Sequence, residues 1–389
     1  MDRIEMAMLS LVGGQLFGNM PERAAIAEVI GDGREELYRV AKNHDLAHLV
    51  GAALESLGLL SDDEISKKFR KQHYAAIFRY RGFEYELSRV STLFCAEGIK
   101  HIPLKGSVLR GYYPEPWMRT SCDIDVLVPE DELERAGALL AERLEYKLAE
   151  KGFHDVSFFS QGGVNLELHF DLIEGRTYPE IEKVLSGVWE CALAKDGSCA
   201  YAMPDEVFYF YHVAHMLKHF LHGGCGIRSF ADLLILDRMG EGSKEARDKL
   251  LADAGILEFA EKSRRLARIW FEGEESDEFY DEFGHFVFDG GIYGKVETKV
   301  LVAHKRKGGK FSYALARIFL PYKALKELFP VLKKHKWLTP VFEVVRWFKI
   351  IFGGRLGSSV KELKTNATLS TEDERRAEII LDNLGLSNK

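Results

Sequence analysis

The 389-residue sequence predicts an α+β protein, a small mixed β-sheet core flanked by N-terminal and C-terminal helical regions. Three observations predict it. Residues 1–98 carry apolar side chains at helical spacing. Between residues 99 and 200 short runs with a period of two take over, punctuated by Gly and Pro. From residue 201 to about 355 the helical spacing returns, and a polar tail with one more helix occupies 356–389.

Taken in order, Leu37 to Leu57 is rich in Ala and Leu. Asp62-Asp63-Glu64 reads as a helix start, with acids in the first turn. A long helical pattern follows through Phe69, Ile77, Leu87, Val90 and Phe94 and stops near Glu97-Gly98, where glycine suits a C-terminal cap. His101 to Leu104 is a short apolar strand running into Lys105-Gly106-Ser107. Cys122 to Val128 is a strand stopped by Pro129, and Glu130 to Leu148 is helical. Ser157-Phe158-Phe159 and Val164 to Leu172 are two strands joined by the hairpin turn Gln161-Gly162-Gly163. Helices are expected over Phe208 to His222, Ile227 to Met239, Lys244 to Ala254 and Glu372 to Leu384. The acidic, aromatic stretch Glu272 to Asp289 reads as a loop or linking segment.

Composition narrows the class. Apolar residues make up 46% and charged residues 29%, enough for a sizeable core. A net charge of -7 argues against nucleic acid as the main partner, while leaving room for a local basic groove. The five cysteines include no CxxC pair, so neither a disulfide framework nor a zinc ribbon is expected, and a reducing, cytoplasmic compartment fits best. The N-terminus lacks the basic and apolar regions of a signal peptide. The richest apolar run, Val341 to Phe352, is too short for a membrane span and is broken by Glu343, Arg346 and Lys349.

The chemistry points to carboxylates. In the strand Asp123-Ile124-Asp125-Val126-Leu127-Val128, alternation puts both aspartates on one face and Ile124, Val126 and Val128 on the other. Two like charges on neighbouring same-face positions are costly to bury without a partner, and a divalent cation relieves that cost. The later strand repeats the pattern: Glu167, His169 and Asp171 share one face, Leu166 and Leu168 the other. Beside the first strand, Glu167 completes a three-carboxylate cluster of the hard oxygen ligands that Mg²⁺ prefers, with Mn²⁺ as a substitute. Asp171 and His169 compete with it for that place.

Upstream, a strand ends at Gly106-Ser107 and a helix begins. Glycine lets backbone N–H groups approach a phosphate, and the serine hydroxyl adds a donor. The combination of Gly106-Ser107, Asp123-Ile124-Asp125 sixteen residues on and a later strand with Glu167-Leu168-His169 resembles the polymerase-β-like nucleotidyltransferase superfamily. With Pro103-Leu104-Lys105, Tyr113-Pro114 and Arg119 it resembles one branch of largely uncharacterised bacterial nucleotidyltransferases, over residues 99 to 175 and more weakly to about 350. The resemblance implies Mg²⁺-dependent transfer of a nucleoside monophosphate from an NTP to an unidentified acceptor: a small molecule, a sugar or a protein. Asp123, Asp125 and Glu167 would hold the metal and carry catalysis. Lys105, Gly106, Ser107 and Arg119 would bind the nucleotide. The sequence departs from the plain Gly-Ser context by placing Lys105 before the glycine, and it shows no recognisable acceptor module. A catalytically silent nucleotide-binding regulator and a toxin–antitoxin type partner stay open as rivals.

Two further features lack a fixed role. His212, His215, His219 and His222 form a stripe on one helix face. They are read as lining a substrate cleft with His215, Lys218 and His169 in it, as a metal site, or as plain helix histidines. Arg228 and Asp232, one turn apart, are expected to pair with each other. Residues 301–355 carry thirteen Lys or Arg against two acids. They suit a weak contact with an anionic membrane or polyanion, or helices with a solvated basic face. Oligomeric state is not legible.

Overall fold

The computed structural model describes residues 1–31, 33–152, 154–172, 179–195, 199–240, 242–291, 299–301, 315, 318–320, 322–352 and 365–386. They form two compact units. The first comprises Met1–Leu217 and Gly226–His285, the second Lys218–Cys225 and Phe286–Lys389.

The first unit begins with four helices, α1 (Arg3–Phe17), α2 (Arg23–Ile30), α3 (Arg34–Asn43) and α4 (Ala47–Ser56), followed by the 33-residue α5 (Glu64–Ala96). As the acids at 62–64 imply, α5 is capped by Asp63, whose carboxylate accepts the Ser66 N–H. The sheet follows. Its strands are β1 (Ile102–Pro103), β2 (Asp123–Leu127), β3 (Lys147–Lys151), β4 (Asp155–Phe159) and β5 (Asn165–His169), in spatial order β1-β2-β5-β4-β3. The β2–β5 pair is parallel and the other neighbours are antiparallel, so the sheet is mixed. Two short helices interrupt the order, α6 (Gly106–Leu109) after β1 and α7 (Leu133–Leu144) after β2.

The apolar alternation decides which face is covered. Ile124, Val126, Leu166, Leu168 and Phe158 pack with Val90 and Phe94 of α5 and with Ala136 and Leu140 of α7 in one core. The opposite face carries Asp123, Asp125, Glu167 and His169. Strand β3 falls partly inside the stretch read as helix to Leu148. Every one of its residues is exposed and three are charged, so it carries no apolar period to read, and it suits a protected sheet edge.

Beyond the sheet come α8 (Pro179–Leu185), α9 (Val188–Cys191), α10 (Asp205–Leu221), α11 (Ile227–Met239), α12 (Lys244–Asp253), α13 (Leu257–Glu272) and α14 (Glu278–Gly290). Helix α14 corrects the reading of Glu272 to Asp289 as a loop or linking segment: Glu278 and Asp281 sit in its first turn, and Tyr280, Phe283 and Val287 recur at helical spacing and are buried. Helix α13 packs on α1 and α11.

A disulfide joins Cys95 and Cys199, 104 residues apart, a pairing that the sequence did not lead one to expect, and Cys122, Cys191 and Cys225 are not disulfide-bonded. The end of α5 and the segment beside β1 converge because His101 bridges to Ala200, and no local spacing announces it.

In the second unit, Leu325, Phe329 and Leu332 form a small core under Tyr322, Leu338, Phe342 and Val345. Its helices include Tyr322–Leu328, Thr339–Phe352 and Thr371–Asn383, the last matching the expected tail helix. The described part of the basic segment 301–355 contributes to this core; residues 302–314, 316, 317, 321 and 353–355 lie outside the described residues. No described helix is long and apolar enough to cross a membrane.

Candidate active site

Register assembles the carboxylates. In the parallel β2–β5 pair Asp125 lies directly beside Glu167, and Asp123 beside Asn165. Ligand atoms of Asp125, Glu167 and His169 all fall within 4.8 Å of one another. Asp123 stands two residues up the same face of β2, so five polar side chains, Asn165 among them, share the surface opposite the apolar core.

Asp125 is the most constrained. It is 2% exposed, and one carboxylate oxygen accepts both the Lys105 ammonium at 2.7 Å and His169 Nε2–H at 2.9 Å. Burial alone would raise its pKa, but Lys105 and His169 outweigh burial and hold it well below the usual carboxylate range. Asp123 goes the other way. Burial first, and the Asp125 charge second, push its carboxyl up to about 6, with Lys105 opposing. Burial lowers Lys105, yet Asp125 more than offsets that and keeps the ammonium charged. His169 is likewise raised: burial opposes its charge, and the hydrogen bonds to Asp125 and Glu167 prevail. Its Nε2 is also 3.6 Å from Glu167, and its Nδ1 is buried without a partner. His169 thus stands against both Asp125 and Glu167 on the polar face of the sheet.

The turn before α6 is built on strain. Lys105 has φ 43°, a left-handed conformation in which an L side chain costs on the order of 1–3 kcal/mol. The ion pair to Asp125 holds it there, and its carbonyl accepts the Val108 and Leu109 N–H groups. A Cβ at Gly106 would meet Ser121 Cβ at 3.1 Å, so glycine is what lets the turn close on the segment leading into β2. The expected phosphate cradle is smaller than the sequence suggests. Helix α6 has only four residues, and the Ser107 N–H is taken by the Leu104 carbonyl. That leaves the Gly106 N–H and the Ser107 hydroxyl as the donors of the turn.

The segment Met118–Ser121 is tethered from both sides. His48 Nε2 bonds the Met118 carbonyl at 2.9 Å, and burial pushes the His48 pKa down to about 4, so that nitrogen donates from a neutral ring. The Thr120 hydroxyl donates to Asp45, as does Arg228. Arg119 gives its Nε to Asp232 at 2.7 Å and another N–H to the Thr120 carbonyl, and the same Asp232 oxygen accepts the Tyr113 hydroxyl at 2.6 Å. Arg228 thus pairs with Asp45 at 2.9 Å and Asp232 with Arg119, in place of the expected Arg228–Asp232 pair. Sequence proximity favoured the i,i+4 pair; the buried loop between the helices needed both charges more. The Arg119 side chain is 9% exposed and held by Asp232 and the Thr120 carbonyl, whereas Arg228 is 19% exposed and its charge acts on Asp123.

Tyr211 of α10 is a site residue that sequence reading missed. Its side chain is 2% exposed and its hydroxyl has no hydrogen-bond partner. Burial raises its pKa most, and the charges that act on it next are Lys105, Asp125, Asp123 and Glu167. A buried tyrosine on an aromatic-rich helix face carries no signal in sequence that separates it from core. His215, one turn on, has its ring 6.1 Å from that of Tyr211. His212 is buried and contacts the Ser229 carbonyl, while Lys218, His219 and His222 fall in the second unit. Among the described residues no group of three metal ligands includes any of these four histidines.

The second group of close ligand atoms, Cys95, His101 and Cys199, is already satisfied as a disulfide with His101 alongside, its Nε2 2.8 Å from Ser91 Oγ. It anchors β1 just before the Lys105 turn.

Comparison with known proteins follows the same lines. The family model described as uncharacterised nucleotidyltransferase matches residues 32–272, which takes in α3 through α13, the whole sheet and the loop tethers. No curated protein and no solved structure matches the chain. With an Asp-x-Asp strand registered against Glu167 beside a Gly-Ser turn, and that family model spanning well over half its length, the chain belongs to this family of nucleotidyltransferases and is an enzyme of the nucleotidyl-transfer class.

Proposed function

We propose that this enzyme moves a nucleoside monophosphate from an NTP to an acceptor nucleophile, with Mg²⁺ held by Asp123, Asp125 and Glu167. The observation that carries the reading is the register Asp125 beside Glu167, with Asp123 on the same face. The residues fit a divalent cation: carboxylate oxygens dominate the set, and Asp123 is pushed up to about 6 by burial and like charge, which a cation would relieve. Bound there, the metal supplies charge neutralisation on the phosphates and orients the reacting oxygens.

The chain's own groups supply the rest. Gly106 N–H and Ser107 Oγ donate to the outer phosphates. Lys105, kept charged by Asp125, and Arg228, fixed by Asp45 and Thr120, balance the charge that develops as pyrophosphate leaves. The Tyr211 hydroxyl donates to the transferred phosphoryl group. The acceptor oxygen attacks the α-phosphorus, the bond to pyrophosphate breaks, and Glu167 takes the acceptor proton. Arg119 braces the entry to β2 rather than meeting phosphate.

The test is incubation of extract with the enzyme, Mg²⁺ and each labelled NTP, followed by identification of what becomes labelled. Label transfer by the wild type and none by Asp123→Ala is expected. Equal NTP binding by both, with or without Mg²⁺, would sink the metal reading.

A further inference from the structure

Helix α5 presents a face that nucleotidyl transfer does not use. Between Ile65 and Phe83 it holds six Lys or Arg and not one acid, in a chain whose net charge is -7. Lys67, Lys71, Tyr74, Phe78, Arg81 and Tyr85 follow one another at intervals of three or four. At 100° per residue all six lie within about 40° of one line, over about 27 Å of helix. The other faces of α5 pack on α3, α4 and α7, and this file is left to solvent. Phe78 is 82% exposed, Tyr74 64% and Tyr85 63%, values that a folded protein rarely tolerates for three aromatic rings in a row. Lys67, Arg70, Lys71, Tyr74, Ala75 and Phe78 line a shallow groove of about 570 Å³ along the same file.

We propose that this file of α5 is a docking surface for single-stranded nucleic acid. Aromatic faces that stack on bases, interleaved with cations that meet the backbone, are what such a strand needs. Tyr74 and Phe78 sit about 6 Å apart along the helix axis, close to the reach of one nucleotide in an extended strand. The ion pairs Lys67–Glu64 and Arg81–Glu84, both 2.9 Å and exposed, are weak enough to yield to phosphate. A membrane surface fits less well. The three rings share their line with Lys71 and Arg81, so there is no separate apolar face to insert. A second copy of the chain fits less well again, because a two-fold contact would set this basic file against itself. The surface adds a binding activity to the transferase and does not depend on its metal site.

The test uses the full-length protein and a labelled 12-nucleotide oligouridine, followed by fluorescence anisotropy. Binding should weaken about 20-fold between 50 and 200 mM salt, as expected for roughly three phosphate contacts on a single strand. Tyr74→Ala with Phe78→Ala should weaken it at least about 25-fold and leave the salt slope unchanged. Lys71→Ala should reduce the slope by about 0.7. All three side chains are exposed, so unchanged melting temperatures verify that the variants fold. Asp123→Ala should bind as wild type does; loss of binding there would place the strand at the metal site and overturn the assignment. So would absence of oligonucleotide binding, or binding indifferent to the α5 variants. Binding to phosphatidylglycerol vesicles in preference to the oligonucleotide, or a dimer in sedimentation that the aromatic variant abolishes, would overturn it in favour of a membrane or a second copy.

Discussion

The two faces of β2 and β5 are built from the same strands and obey opposite rules. The back face, Ile124, Val126, Leu166 and Leu168, is fully buried against α5 and α7 and has every contact it needs. The front face gathers Asp123, Asp125 and Glu167, charges that repel one another and that act on the buried Tyr211. The back face is a closed apolar core, whereas the front face is a cluster of carboxylates with Lys105 and His169 against Asp125. Replacing side chains on each should therefore move different observables.

The largest contrast is Asp123→Ala against Ile124→Ala. The first should lower transfer on the order of 10³-fold or more while leaving the unfolding midpoint equal or higher, since it removes a repelling charge. The second should cost about 2–5 kcal/mol in urea unfolding and leave Mg²⁺ affinity of the folded protein unchanged. If Asp123→Ala proves the more destabilising of the two, the division of labour between the faces is wrong.

Next comes the brace. Arg119→Met leaves Asp232 buried and uncompensated and should cost about 3–5 kcal/mol. Adding Asp232→Leu should restore much of that in the same urea titration. An Arg119→Met protein as stable as wild type, with only its KM for NTP raised, would return Arg119 to the phosphates.

The pH response sharpens the comparison further. Asp123 carries a pKa of about 6 in the fold against an ordinary aspartate value of 3.8, so the folded state holds its proton over a range where the unfolded chain has lost it. That contribution to stability is complete below about 3.8 and is lost as pH rises through 6, an effect of about 3 kcal/mol. Calorimetry without divalent cation should show wild type losing several degrees relative to Asp123→Asn between pH 4 and 7. Mg²⁺ at pH 7 should close the gap. Asp125, held low by Lys105 and His169, contributes in the opposite sense and loses its contribution only on acidification.

The smallest effect is that of Tyr211→Phe. Deleting one hydroxyl that has no partner in the protein should leave stability unchanged, and removes one donor to the transferred group. Transfer should fall about 10- to 100-fold at saturating NTP. Unchanged turnover would make Tyr211 a core residue only.

Much of this was legible beforehand because it is periodic. Alternation along Asp123–Val128 and along Leu166–His169 fixed which side chains share a face. The acids before α5 and the Gln161-Gly162-Gly163 turn marked their elements. What escaped was written without a period. Strand β3 has no buried residue to alternate. Helix α14 looked like a linker because its acids drew attention from its buried rings. Tyr211 resembles any aromatic on a buried helix.

By itself the sequence determined the local pattern: a strand with two aspartates on one side, a Gly-Ser turn ahead of it and helices around it. Only the tertiary structure decided the partners. It set Asp125 beside Glu167, gave Asp232 to Arg119 and Arg228 to Asp45, brought Cys95 to Cys199 and left the basic, aromatic file of α5 uncovered. The physical reason is range. Periodicity and capping act over one or two turns of chain, whereas a buried charge takes whichever countercharge the packed fold brings within reach, however far away in sequence.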